Sequence, residues 1–161
     1  MKSVVATVLL IGALQGAPAL AKSAMASPLL GSWAVDLSRL PIPPEARPKS
    51  VTITFSDAGA DKWRINVDIL GGDGSARHMT STYTPDGTPS AIEGDTAEAD
   101  IAAVKIPAPN VMVLELGKGG MPASTRVYTV APDGKTMIET AASTGADGKP
   151  SLRTNYFSRV R

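Results

Sequence analysis

Leu30-Gly31-Ser32-Trp33-Ala34-Val35-Asp36 is the stretch on which the fold turns. A glycine two residues before a tryptophan suits a strand that starts tightly and then plants one large ring at the end of a core. Gly31 accepts backbone angles closed to other residues, and Trp33 buries a large surface while asking for one hydrogen-bond partner. The chain ends on Tyr156-Phe157-Ser158-Arg159-Val160-Arg161, a second strand-like run with basic residues. Together the two ends predict a closed sheet whose first and last strands meet.

Upstream, Met1-Lys2-Ser3 and the apolar run from Val4 to Leu14 have the charged start and greasy middle of a secretory signal. Ala19-Leu20-Ala21 supplies a small-x-small cleavage site, which predicts a signal peptide over 1–21, with cleavage after Ala26 as the second choice. Residues 22–29 are then expected as a flexible leader, and 30–161 as one domain. The apolar run is too short for a retained membrane span. With no cysteine behind it to carry a lipid, a periplasmic or secreted address is expected.

Removing Lys2 with the signal leaves fifteen basic residues against fifteen acids, a formal net charge of zero. Such balance gives no electrostatic reason to expect nucleic acid or an anionic membrane as partner. The absence of cysteine excludes disulfides, thiolate metal sites and thiol catalysis together. A domain without such staples depends on its hydrophobic core, and about 140 residues suffices for one.

Val51-Thr52-Ile53-Thr54-Phe55 and Trp63-Arg64-Ile65-Asn66-Val67-Asp68-Ile69 alternate apolar and polar residues, the strongest strand signal in a single sequence. Gly72-Asp73-Gly74, Asp86-Gly87, Asp133-Gly134 and Asp147-Gly148 supply the positive backbone angles of tight turns. Between them lie strand-like runs at 76–83, 101–106, 111–116, 125–130, 136–142 and 152–160. The expectation is an all-β, up-and-down antiparallel β-barrel of about eight to ten strands, with a β-sandwich as the alternative. Four prolines between Ser38 and Lys49 rule against a continuous helix there and predict an extended connection across one end of the sheet. Pro85–Asp100 reads as a solvated loop carrying Asp86, Glu93, Asp95, Glu98 and Asp100 without a base.

Gly31-Ser32-Trp33 on the first strand, with a basic residue near the end of the last, resembles the calycin group: lipocalins, fatty-acid-binding proteins and avidins. The resemblance implies that Gly31 and Trp33 close one end of a barrel and that Arg159 lies across the indole, with Arg161 as its substitute. It implies further an interior able to take a small hydrophobic ligand. The proline-rich stretch 38–49 stands where fatty-acid-binding proteins carry a helical lid. A second lipocalin motif, the lipocalin helix before the last strand and avidin's polar ligand set have no counterparts in the sequence.

The residues expected to line a ligand space are Val51, Ile53, Phe55, Ile65, Val67 and Met112; the competing expectation is that they fill a solid core. His78, the only histidine, is read as an ordinary strand residue rather than a haem ligand or base, since no second ligand accompanies it. The acidic loop lacks calcium-loop spacing. Lys118, Arg126 and Arg153 are basic positions that topology could gather into a rim. No nucleophile elbow, phosphate loop, dinucleotide fingerprint or zinc motif occurs. The expectation is therefore a non-enzymatic protein with no cofactor and no metal. The first function it suggests is binding of a small hydrophobic ligand; the second is a protein-interaction or accessory domain with a solid barrel core. A protein partner or a homodimer through an exposed strand edge stays open.

Overall fold

The structure, a computed structural model, describes residues 26–160. The expected signal peptide, cleavage after Ala21, the start of the leader and Arg161 lie outside the described residues. The end of the leader is not a loose tail. Ser27–Leu30 close a turn (Leu30 N–H to Ser27 O, 3.1 Å), and Leu29 is wholly buried. Its carbonyl accepts the Trp33 Nε1 hydrogen bond at 2.9 Å, the one partner the indole needs.

Eleven antiparallel strands follow among the described residues: β1 Gly31–Val35, β2 Ser50–Gly59, β3 Lys62–Leu70, β4 Ala76–Tyr83, β5 Ser90–Ala91, β6 Glu93–Gly94, β7 Ile101–Ala108, β8 Val111–Lys118, β9 Met121–Val130, β10 Thr136–Thr144 and β11 Pro150–Arg159. They form one sheet in the order β5-β7-β8-β9-β10-β11-β1-β2-β3-β4-β6. First and last strands meet in the register Trp33↔Arg159, Ala34↔Ser158 and Val35↔Phe157. The single continuous sheet, curled until its edges nearly touch, is a barrel and not a sandwich. The count exceeds the expected number because β5 and β6 are two-residue strands that no alternation announces.

Those two short strands join the edges of the sheet. Ser90 and Ala91 pair with Ala102 and Ile101 of β7, while Glu93 and Gly94 pair with Thr80 and Met79 of β4. The Ser81 hydroxyl donates to the Ala91 carbonyl at 2.9 Å, reinforcing the join. At Gly94 (φ +87°) a Cβ would stand 2.3 Å from the His78 carbonyl oxygen, so only glycine lets the two backbones approach this closely. The segment expected as a solvated loop is thus structural. Its acids find bases on distant strands: Asp95 pairs with Arg77, Glu98 with Arg126, and Asp100 with Lys118 at 3.8 Å.

Residues 38–49 form an extended strap with short 3-10 turns at Leu37–Arg39 and Pro44–Ala46. Arg47 pins it by donating to the carbonyls of Leu40 (3.2 Å) and Ile42 (3.1 Å).

Candidate functional site

Successive inward residues on each strand stand at different heights in the barrel. One end is solid. Leu29, Trp33, Phe55, Tyr83, Val104, Met112, Val130 and Met137 are all buried there, packed as a continuous floor. Tyr128 stands edge-on to Phe55 and Phe157, with centroids 5.6 and 6.3 Å apart, a favoured aromatic geometry. Beneath the floor, the Arg159 guanidinium lies 4.1 Å from the centroid of the Trp33 ring. It donates to the carbonyls of Gly134 (2.7 Å), Leu30 (2.7 Å) and Pro28 (2.5 Å), tying the turn before β1 and the β9–β10 turn to the last strand. Gly31 (φ +123°) makes room for it, because a Cβ there would meet Arg159 Nη1 at 2.4 Å.

Above the floor the barrel holds a cavity of about 280 Å³. That is just under the roughly 300–1,000 Å³ of typical small-molecule sites. Its walls are mainly aliphatic: Val51 and Ile53 from β2, Ile65, Val67 and Ile69 from β3, Met79 from β4, Ile92 from the join, and Leu114 and Leu116 from β8. Leu40, Pro41 and Ile42 of the strap lie along its rim. Of the residues expected to line a ligand space, Val51, Ile53, Ile65 and Val67 are gathered here. Phe55 and Met112 are not; both belong to the floor. They share the inward face with the others, but each stands too close to the closed end to reach the void. The competing expectation of a packed core describes Phe55 and Met112, while Val51, Ile53, Ile65 and Val67 border the void.

One wall is polar. Arg126, Glu139 and Asn155 occupy inward positions on the neighbouring strands β9, β10 and β11. Glu139 is only 2% exposed, and its Oε2 accepts a hydrogen bond from Asn155 Nδ2 at 2.9 Å. Its Oε1 lies 3.4 Å from Arg126 Nη1 without a hydrogen bond, and Arg126 Nε–H is unpaired as well. Arg126 Nη2 reaches Glu98 on the segment after β6. Burial works against the charge on Arg126, but Tyr128, Glu139 and Glu98 outweigh it and hold its pKa above the ordinary arginine value. Burial, then the neighbouring Glu139, pushes the Tyr128 phenol upward, so it remains a neutral hydroxyl.

The charge signs at this wall were missed in the sequence because Glu139 sits in a run, Met137 to Ala142, where both faces carry apolar residues. The signal was nonetheless present. Counting by twos from Val130 gives Tyr128 and Arg126, and from Met137 gives Glu139. Of the three basic positions considered for a rim, Arg126 and Arg153 border the cavity, while Lys118 is engaged by Asp100 elsewhere. His78 is exposed on the outer face, with Nδ1 2.7 Å from Asp68 Oδ1. Among the described residues no group of three or more histidine or acidic side chains is arranged to hold a metal, and no helix is long and apolar enough to cross a membrane.

No protein-family model matches the sequence, and no curated protein does either. Solved structures do. A zebrafish ileal bile acid-binding protein complexed with cholic acid aligns with a TM-score of 0.53 and 14% identity, over 83% of this chain and 100% of that one. A variant of the fluorescent protein UnaG aligns with a TM-score of 0.54 and 13% identity, over 85% of this chain and 99% of that one. At such identities the likeness is one of architecture, and it extends over nearly the whole described barrel. An antiparallel barrel with a floor on its first strand, a cavity above it and these structural neighbours makes this a protein of calycin-like fold.

Proposed function

We propose that the protein is an exported binding protein for a small hydrophobic molecule, acting by sequestration and not by catalysis. The observation that carries this reading is the apolar cavity above the sealed floor. Desolvation of an apolar ligand against Val51, Ile53, Ile65, Val67 and their neighbours supplies the affinity. The buried Arg126–Glu139–Asn155 wall supplies orientation, as a few placed polar groups do in such sites. The bile acid-binding neighbour, solved with cholic acid, supports a hydrophobic cargo for this architecture. Export to the periplasm or beyond rests on the N-terminal sequence pattern alone.

Native mass spectrometry of the protein recovered from its own host, followed by solvent extraction, tests the reading. The expected result is a chain cleaved after Ala21 or Ala26 that carries an extractable mass of a few hundred daltons. A bare chain that also takes up no apolar probe in titration would favour an accessory domain instead.

A further inference from the structure

The polar wall brings buried charge into a mainly aliphatic cavity, and that charge is already spoken for. Two carboxylates, Glu98 and Glu139, face the guanidinium of Arg126, while Arg153, which borders the same cavity, is exposed on β11. A ligand carboxylate placed there would add a further negative group to a cluster already richer in acid than base, in a setting poorly screened by water. An ammonium group would have to sit against Arg126 itself. What the cluster lacks is one donor and one acceptor. Glu139 Oε1 has no hydrogen-bond donor, and Arg126 Nε–H has no acceptor, although both are sealed from solvent. Buried groups left in this state are the ones a ligand satisfies at greatest gain. At 3.4 Å Arg126 Nη1 and Glu139 Oε1 form an ion pair without hydrogen-bond geometry, so the pair leaves the Glu139 oxygen without a donor.

We infer that the cavity takes an uncharged apolar molecule with a hydroxyl at its polar end, placed against Glu139 and Arg126. A hydroxyl is at once a donor and an acceptor, which an ether, a ketone or a carboxylate is not. It gives its proton to Glu139 and receives one from Arg126, while its apolar body lies against β2, β3 and β8. The inference rests on the binding function proposed above and sharpens it.

Isothermal titration of the intact protein at neutral pH with 1-dodecanol, dodecanoate and dodecylammonium, alike in chain and different in head group, tests it. The alcohol is expected to bind at least about tenfold more tightly than either ion. In Glu139→Gln, which keeps the shape and removes one carboxylate, the disadvantage of dodecanoate should shrink to less than about threefold. Should that variant not fold by circular dichroism, the ranking on the native protein decides alone. Dodecanoate or dodecylammonium binding as tightly as the alcohol overturns the hydroxyl assignment and leaves the binding function standing. Failure of all three to bind removes both.

Discussion

Arg159→Ala removes the clamp beneath the floor, and its effect can be worked from the contacts. Three carbonyls, of Pro28, Leu30 and Gly134, lose a donor that was charged. Hydrogen bonds to charged groups contribute roughly 1.5–3 kcal/mol each, and stacking on the indole contributes roughly 0.5–2 kcal/mol. Because Arg159 is only partly buried, water reaches the freed carbonyls and returns much of that. A net loss of about 3 kcal/mol is expected, or about 12 °C in the melting temperature for a domain of this size. Thermal unfolding followed by far-ultraviolet circular dichroism reads it directly. Arg159→Lys keeps the charge but cannot span three acceptors with a planar fork, so it should recover less than half of the loss. A fall under about 3 °C in the alanine variant, or full recovery by lysine, would refute the clamp.

Trp33→Ala should destabilise by about 3–5 kcal/mol, as truncation of a fully buried aromatic does, and an unchanged urea midpoint would contradict its place in the floor. Gly94→Ala should loosen the join between β4 and β6, seen as faster amide exchange at residues 79–80 and 93–94 with the floor still protected; uniform exchange throughout would argue against a local seam. Burial holds the phenols of Tyr83 and Tyr128 above their ordinary value of 10.0. Below that pH the native and unfolded chains bind these protons alike. Above it the unfolded chain releases protons that the native one retains, so stability falls as pH rises. Alkaline unfolding curves of Tyr83→Phe should fall less steeply above pH 10 than those of the native protein, and parallel curves would count against this.

Much of the barrel was legible because strand alternation and turn chemistry are local signals. Val51–Phe55 and Trp63–Ile69 state their faces residue by residue, and Asp133-Gly134 and Asp147-Gly148 mark hairpins through the positive φ that glycine tolerates. The β2–β3 turn gave no such warning, since Ala60 and Asp61 adopt φ of +50° and +59° without a glycine at either position. The join at 90–94 was hidden for a different reason. Its pairing depends on how far the rest of the sheet curls, which no short window contains. Site residues divided along the same line. Which face a residue took was readable for Val51, Ile53, Ile65 and Val67. Height along the barrel axis was not, and that is what separates Phe55 and Met112 from the cavity. The polar wall needed three strands brought side by side before Arg126, Glu139 and Asn155 became one feature.

The pairing of Trp33 with Arg159 bears on how the chain is born. A ribosome delivers residue 33 long before residue 159, yet β1 has only β2 and β11 as neighbours, and its floor needs the last strand. A growing chain can therefore form early hairpins but cannot seal its base until residues 150–159 have emerged. Contacts of such long sequence separation also make closure slow, on the millisecond-to-second scale of non-local β proteins. Sealing of the base therefore waits on β11, whatever the earlier hairpins have already formed.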